Sequence, residues 1–246
     1  MTFRAFLAAA PLLLVTACGG ADTTNAAAPT GSVKPVQPPA GKSWVETVVK
    51  TPEGGFRMGN PDAPLKIVEY GSRLCPACKA LNDDGFEPLK ADYIATGKAS
   101  YEFREFPVHG PLDFASILLG QCTGDPATFF PILDQMFKNQ ETILTNAQAV
   151  GTKLQATPNA TPNQVAVAFG EGLGIIDFMK QRGLPEDKAR ACLNDPAGIK
   201  RIVDGAQAAN EKFQISGTPT LILNGVKLES VDDWNGLKAA LAQRGA

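Results

Sequence analysis

Apolar positions alternate with polar ones in a few short stretches and recur at helical spacing through most of the remainder. Val45 to Thr51 and Phe56 to Met58, parted by Gly54-Gly55, predict a hairpin or strand edge. The turn-rich Asn60-Pro61-Asp62-Ala63-Pro64 leads into Leu65-Lys-Ile-Val-Glu-Tyr70, a compact apolar run of strand length. Residues 79–96 predict a helix, bent or broken around Gly85 and Pro88, and residues 99–106 alternate with the period of a strand. Strand, helix, strand is a βαβ unit and requires a parallel pair. From Pro111 to about Asn210 the pattern is helical: one helix carries Phe114, Ile117, Leu118 and Cys122. Others are predicted over 127–137, 161–169, 175–182, 185–194 and 195–212. Thr220 to Asn224 and Val226 to Leu228 then form a hairpin through Asn224-Gly225, a favoured two-residue turn. Residues 231–244 close the chain as an Ala/Leu-rich helix. Trp44 and the Phe129-Phe130 pair are read as core. The resulting class is α/β, with strands on either side of a helical insertion.

The N-terminal residues bear on compartment. Arg4 is followed by the apolar run Ala5 to Val15, of signal-peptide length and too short for a permanent membrane span. The run ends in Val15-Thr16-Ala17-Cys18, which resembles a bacterial lipobox; an ordinary signal peptide that contains a Cys is the alternative. The resemblance implies cleavage after residue 17 and a diacylglycerol on Cys18. The protein would then be a periplasmic lipoprotein, and Gly19, rather than Asp, leans toward the outer membrane. Residues 18–42 are rich in Ala, Thr, Gly and Pro, and read as a flexible tether. A formal net charge of −2 with no basic cluster gives nucleic acid nothing to bind. No feature calls for a dimer, so a monomer is expected, and no cofactor is called for.

Five cysteines bring in the chemistry. Beyond Cys18, Cys75-Pro76-Ala77-Cys78 is a CxxC placed between a strand and a helix. The first Cys of such a motif sits at the helix N-terminus, where unpaired N–H groups and the helix dipole stabilise a thiolate. Pro76 suits the first helical turn, which has no use for its missing N–H. Cys75 is therefore the expected nucleophile and Cys78 the less exposed resolving thiol. Cys122 and Cys192 remain, 70 positions apart, as a structural disulfide or as two separate buried thiols.

Several features together resemble the DsbA-like branch of the thioredoxin superfamily. They are the lead-in Gly59-Asn-Pro-Asp-Ala-Pro64, the CxxC, Glu69 six residues before Cys75, the helical block, and Gly217-Thr218-Pro219-Thr220. The resemblance runs from Trp44 to the C-terminus. It implies a thioredoxin-like domain of residues 43–110 and 211–246, interrupted by a helical insertion at 111–210. It also implies that Glu69 is a buried acid serving proton transfer at the second thiol, and that Pro219 is cis. Pro76, Ala77, Thr218 and Pro219 would then border bound substrate. The implied activity is thiol–disulfide exchange, with donation of a disulfide to reduced or unfolded exported proteins and recycling by a membrane redox partner.

Two positions depart from the branch. Ala77 stands where strong oxidants commonly carry a His, which removes a cation from beside Cys75, and Thr218 replaces the Val of the best-known oxidants. A reductase or isomerase of the same fold is therefore the alternative reading. A zinc site built from Cys75, Cys78, Cys122 and Cys192 is a third. His109, the only histidine, is read as a surface residue on the loop entering the insertion, with no assigned role.

Overall fold

The computed structural model describes Met1 and residues 32–246. The expected signal peptide, Cys18 and the first part of the tether lie outside the described residues. In chain order the elements begin β1 (Val48–Lys50), β2 (Phe56–Gly59), β3 (Leu65–Gly71), α1 (Pro76–Leu89) and β4 (Ala99–Glu105). The helical block follows: α2 (Pro111–Gly120), α3 (Phe129–Lys138), α4 (Gln140–Leu144), α5 (Ala147–Gln155) and α6 (Pro162–Gly172). It continues with α7 (Ile175–Lys180), α8 (Glu186–Leu193) and α9 (Pro196–Phe213), before β5 (Thr220–Leu223), β6 (Val226–Lys227) and α10 (Trp234–Ala242).

The strands form one mixed sheet in the order β1-β2-β4-β3-β5-β6. β3 and β4 pair in parallel, as a βαβ unit requires, and the other pairs are antiparallel. Alternation along β3 divides its side chains between two environments. Leu65 and Ile67 enter the main core with Phe103, Leu221 and Leu237, while Tyr70 packs with Ile222 and with Ala209 of α9. Asn224 and Gly225 both take positive φ (52° and 82°) at the β5–β6 turn, a conformation that Asn and Gly tolerate.

Several boundaries differ from the sequence expectation. α1 starts at Pro76, three residues before the periodic stretch but where the motif placed its first turn, and runs through Gly85 and Pro88 before passing into a π-helical turn at Lys90–Ile94. Gly85 is used for close packing, since an added Cβ would meet the Trp234 ring at 3.0 Å. α4 and α5 fill residues 140–155, where the sequence pattern predicted nothing; α4 is five residues long, too short to display a helical period.

The tether expected to run to residue 42 is anchored from Val33 onward. Val33 is buried and its N–H donates to Gly245 O, while Val36 O accepts from the Trp44 indole at 2.7 Å. Two scattered valines in a polar stretch leave no periodic trace, which is why composition alone read this segment as free.

The insertion carries its own core, built on Phe114, Leu119, Phe169, Ile175 and Leu193. α3 is divided between the two cores. Its Phe129, Phe130, Leu133 and Phe137 enter the main core, where Phe129 stacks on Phe56 with ring centroids 4.0 Å apart, whereas Ile132 and Met136 face the insertion. Cys122, just past α2, is disulfide-bonded to Cys192 of α8. The four-cysteine zinc arrangement is therefore not formed: two of its thiols are consumed in the insertion, and Cys75 and Cys78 lie in the main core.

Candidate active site

Cys75 caps α1 in an extended conformation, and Pro76 opens the helix. Both CxxC cysteines are free thiols, with Cys75 7% exposed and Cys78 0%, while Pro76 and Ala77 lie at the surface. Opposite the motif, the Thr218–Pro219 peptide is cis, and the Cys75 Sγ lies 3.2 Å from Thr218 O. The structure thus brings Cys75, Cys78, Thr218 and Pro219 together, as the resemblance implied.

The two thiols are driven apart in acidity. Cys75 falls from an ordinary 9.0 to about 5, chiefly because the Cys78 thiol donates to it. Burial opposes this fall; the Thr218 hydroxyl and the backbone N–H groups of Cys78 and Ala77 add to it. That hydroxyl is buried and has no hydrogen-bond partner among the described residues, which leaves its proton free for the Cys75 thiolate, a donor that Val could not supply. Cys78 moves well above its ordinary value, first through burial and then through its bond to Cys75 and the charge of Glu69. At neutral pH the arrangement holds a slightly exposed thiolate beside a fully buried thiol.

Glu69 lies on the same β3 face as Leu65 and Ile67, is 3% exposed, and has a carboxyl raised to about 7, mainly by burial. Its Oε2 accepts a 2.6 Å hydrogen bond from the Tyr101 phenol, and its Oε1 has no partner. A narrow cleft between α1 and α10, lined also by Asn82, Phe86 and Trp234, reaches this pair. A carboxyl of this kind exchanges protons near neutrality. The raised value carries a stability consequence. The native state retains a proton that the unfolded chain releases, so stability from this group is present below about pH 4.5 and lost as pH rises toward about 7. The Tyr101 bond favours the ionised form, so Tyr101→Phe is expected to raise the Glu69 value further, by about 1, since hydrogen bonds to charged groups contribute about 1.5 kcal/mol or more. Titration of the Glu69 carboxyl carbon by NMR in both proteins checks this; an unchanged midpoint would show that the phenol does not tune the acid.

Sequence reading missed the polar scaffold behind the motif. Ser72 and Arg73 are 0% exposed and Leu74 is 1%. Gln140 of α4 donates to Arg73 O at 3.1 Å and to Cys75 O at 3.0 Å, so the insertion directly fixes the reactive turn. The Arg73 guanidinium pairs with Glu105 at 2.7 Å and lies over the Phe129 ring, 4.9 Å from its centroid. Asp113, fully buried on α2, accepts from Ser72 Oγ at 2.8 Å and from the His109 backbone N–H at 2.8 Å. No periodicity marks these residues. Tyr101 alone could have been found: once β3 and β4 are set parallel, it opposes Ile67 on the face that carries Glu69.

A CxxC capping the first helix and facing a cis-proline loop, on a sheet interrupted by a helical insertion, defines the DsbA-like type of thioredoxin fold. The chain belongs to the thioredoxin family, whose model matches residues 51–243. It is similar to the crystal structure of a protein-disulfide isomerase from Novosphingobium aromaticivorans. The TM-score is 0.73 at 28% identity, over 78% of this chain and 98% of that one. Disulfide bond formation protein D of Bacillus subtilis is 23% identical over 75% of this chain and 74% of that protein. A relative from Rickettsia bellii is 26% identical over 192 residues, 78% of this chain, and the chain spans 65% of that relative's length.

Proposed function

We propose that the protein is an exported thiol–disulfide oxidoreductase that donates the Cys75–Cys78 disulfide to reduced or unfolded proteins. The observation that carries this reading is the division of acidity across one helical turn: Cys75 held near 5, Cys78 well above its ordinary value, and Glu69 near 7 behind them.

In the forward direction a substrate thiolate attacks Cys75 Sγ, and the Cys75–Cys78 bond breaks. Cys78 leaves with the bond's electron pair and takes a proton from the Glu69 carboxyl. A second substrate thiolate then attacks the substrate sulfur of the mixed disulfide. Cys75 departs as the stabilised thiolate, and two electrons have passed from substrate to protein. Pro76, Ala77, Thr218 and Pro219 border the sulfur and form the surface against which an extended substrate would lie. A membrane redox partner would reoxidise the pair, and a lipid on Cys18 would hold the domain at the periplasmic face of a membrane. Cys122–Cys192 serves as a structural brace.

A second reading, net reduction or isomerisation, is favoured by Ala77, which leaves the motif without a cation, and by the likeness to the Novosphingobium isomerase. The equilibrium reduction potential of the Cys75–Cys78 couple against glutathione buffers separates the two. Donation predicts a value toward about −120 mV, the strong-oxidant end of the range; a value at or below about −200 mV would overturn it in favour of the second reading.

A further inference from the structure

His109 stands beside the reactive turn and is tied to it through a single buried carboxylate. Its Nδ1 lies 3.2 Å from both oxygens of Asp113, and its backbone N–H donates to Asp113 Oδ2 at 2.8 Å. Asp113 Oδ1 in turn accepts from Ser72 Oγ at 2.8 Å. Ser72 then holds the turn at two points, its Oγ accepting from Leu74 N–H at 3.0 Å and its carbonyl from Cys75 N–H at 3.2 Å. Imidazole, buried carboxylate, serine and nucleophilic cysteine thus form one hydrogen-bonded chain across α2 and the start of α1.

The charges argue for more than a structural tie. Asp113 is 0% exposed and receives two neutral donors, the Ser72 hydroxyl and the His109 backbone N–H, so a protonated His109 is the cation that complements it. Two titratable groups act on His109 and raise its pKa: first Asp113 by hydrogen bond and charge, then Cys75 by charge, with partial burial opposing them. Behind Asp113 stand Glu105 at the end of β4 and Arg73 in the turn, an ion pair whose opposite charges largely offset. At position 77, inside the motif, there is only a methyl group.

We propose that His109 is a positioning residue for the Cys75 thiolate: fixed by Asp113, its imidazolium supplies from outside the CxxC the positive charge that Ala77 does not. The proposal rests on Cys75 being the thiolate of the exchange reaction. It makes the oxidising strength of the protein pH-dependent, greatest where His109 is protonated, because stabilising the thiolate stabilises the reduced form. The imidazole is about a third exposed, so solvent screening limits the coupling to about 3- to 10-fold in the thiol–thiolate equilibrium.

Because the chain has one histidine, its ring resonance needs no assignment. Proton NMR titration of the full protein, oxidised and reduced, tests the coupling without a substitution. Reciprocity requires His109 to bind its proton about 3- to 10-fold more tightly when Cys75 is a thiolate than when it is in a disulfide. The same tightening is expected in reduced Cys78→Ala, which keeps Cys75, and is expected to be absent in Cys75→Ala. His109→Ala should weaken the thiolate by the same factor, read by its ultraviolet absorbance against pH, and lower the reduction potential by about 14–30 mV. Identical His109 titrations in the two redox states would overturn the proposal. The parent's thiolate absorbance keeps the two readings distinct. A Cys75 that stays a thiol at neutral pH sinks the exchange mechanism, whereas a thiolate indifferent to His109 sinks this inference alone.

Discussion

Cys75→Ser is expected to reduce disulfide transfer to a reduced protein substrate to the uncatalysed level; Cys78→Ser, which has no internal disulfide to donate, is expected to lose net transfer as well but to form mixed disulfides with a partner that is already oxidised. A serine oxygen forms no disulfide, so the first variant loses both the redox couple and the group held near 5 for attack or departure. In the second, Cys75 keeps its helix N-terminus and the Thr218 hydroxyl, but it loses the largest influence on its acidity, the thiol of Cys78. Its thiolate should therefore form at higher pH than in the parent while still reacting. Transfer to a reduced, unfolded protein, followed by thiol quantitation, checks both variants. Full activity in Cys75→Ser would place the reaction elsewhere in the molecule.

Breaking the Cys122–Cys192 bridge is expected to give the largest change in stability. The bond closes a loop of 70 residues between the end of α2 and α8. On the chain-entropy estimate such a loop is worth about 4 kcal/mol through restriction of the unfolded chain. Cys122 is 8% exposed and both cysteines pack in the insertion core, so the double Cys→Ala variant also loses apolar contact there. The consequence reaches the reactive turn, because Gln140, which holds the carbonyls of Arg73 and Cys75, belongs to the same helical block. Denaturant unfolding of the double variant should show a loss of about 4 kcal/mol, and a loss under 1 kcal/mol would mean that the insertion does not depend on the bridge.

What could be read in the sequence follows from what leaves a periodic or chemical mark. The βαβ unit, the Asn224-Gly225 hairpin, the CxxC and the Thr218-Pro219 loop each carry a local signature, and each is found at or within a few residues of its expected place. α4 and the packing of Val33 onto the C-terminus carry none. A five-residue helix shows no repeat, and a single buried valine looks like any other residue of a polar stretch. The site divides in the same way. Cys75 and Cys78 were visible from type and spacing, and Glu69 from the family resemblance. Ser72, Arg73, Asp113 and Gln140 act through buried hydrogen bonds between elements 32 to 67 positions apart, which no local pattern encodes. His109 was visible as a residue but not as a neighbour. Only the fold shows that the loop leaving β4 returns to the N-terminus of α1 and places an imidazole on Asp113, which supports Ser72 and the turn before Cys75.

The central claim is that Cys75 is the sulfur that exchanges with substrate and Cys78 its buried partner in the disulfide. It is tested most directly by exposing reduced Cys75→Ala and Cys78→Ala variants separately to a small disulfide at neutral pH and mapping the adduct by peptide mass spectrometry. The account predicts rapid, stoichiometric modification of Cys75 in Cys78→Ala and slow or no modification of Cys78 in Cys75→Ala, because one sulfur is a thiolate with slight exposure and the other a fully buried thiol. Equal rates at the two sulfurs, or faster reaction at Cys78, would contradict it.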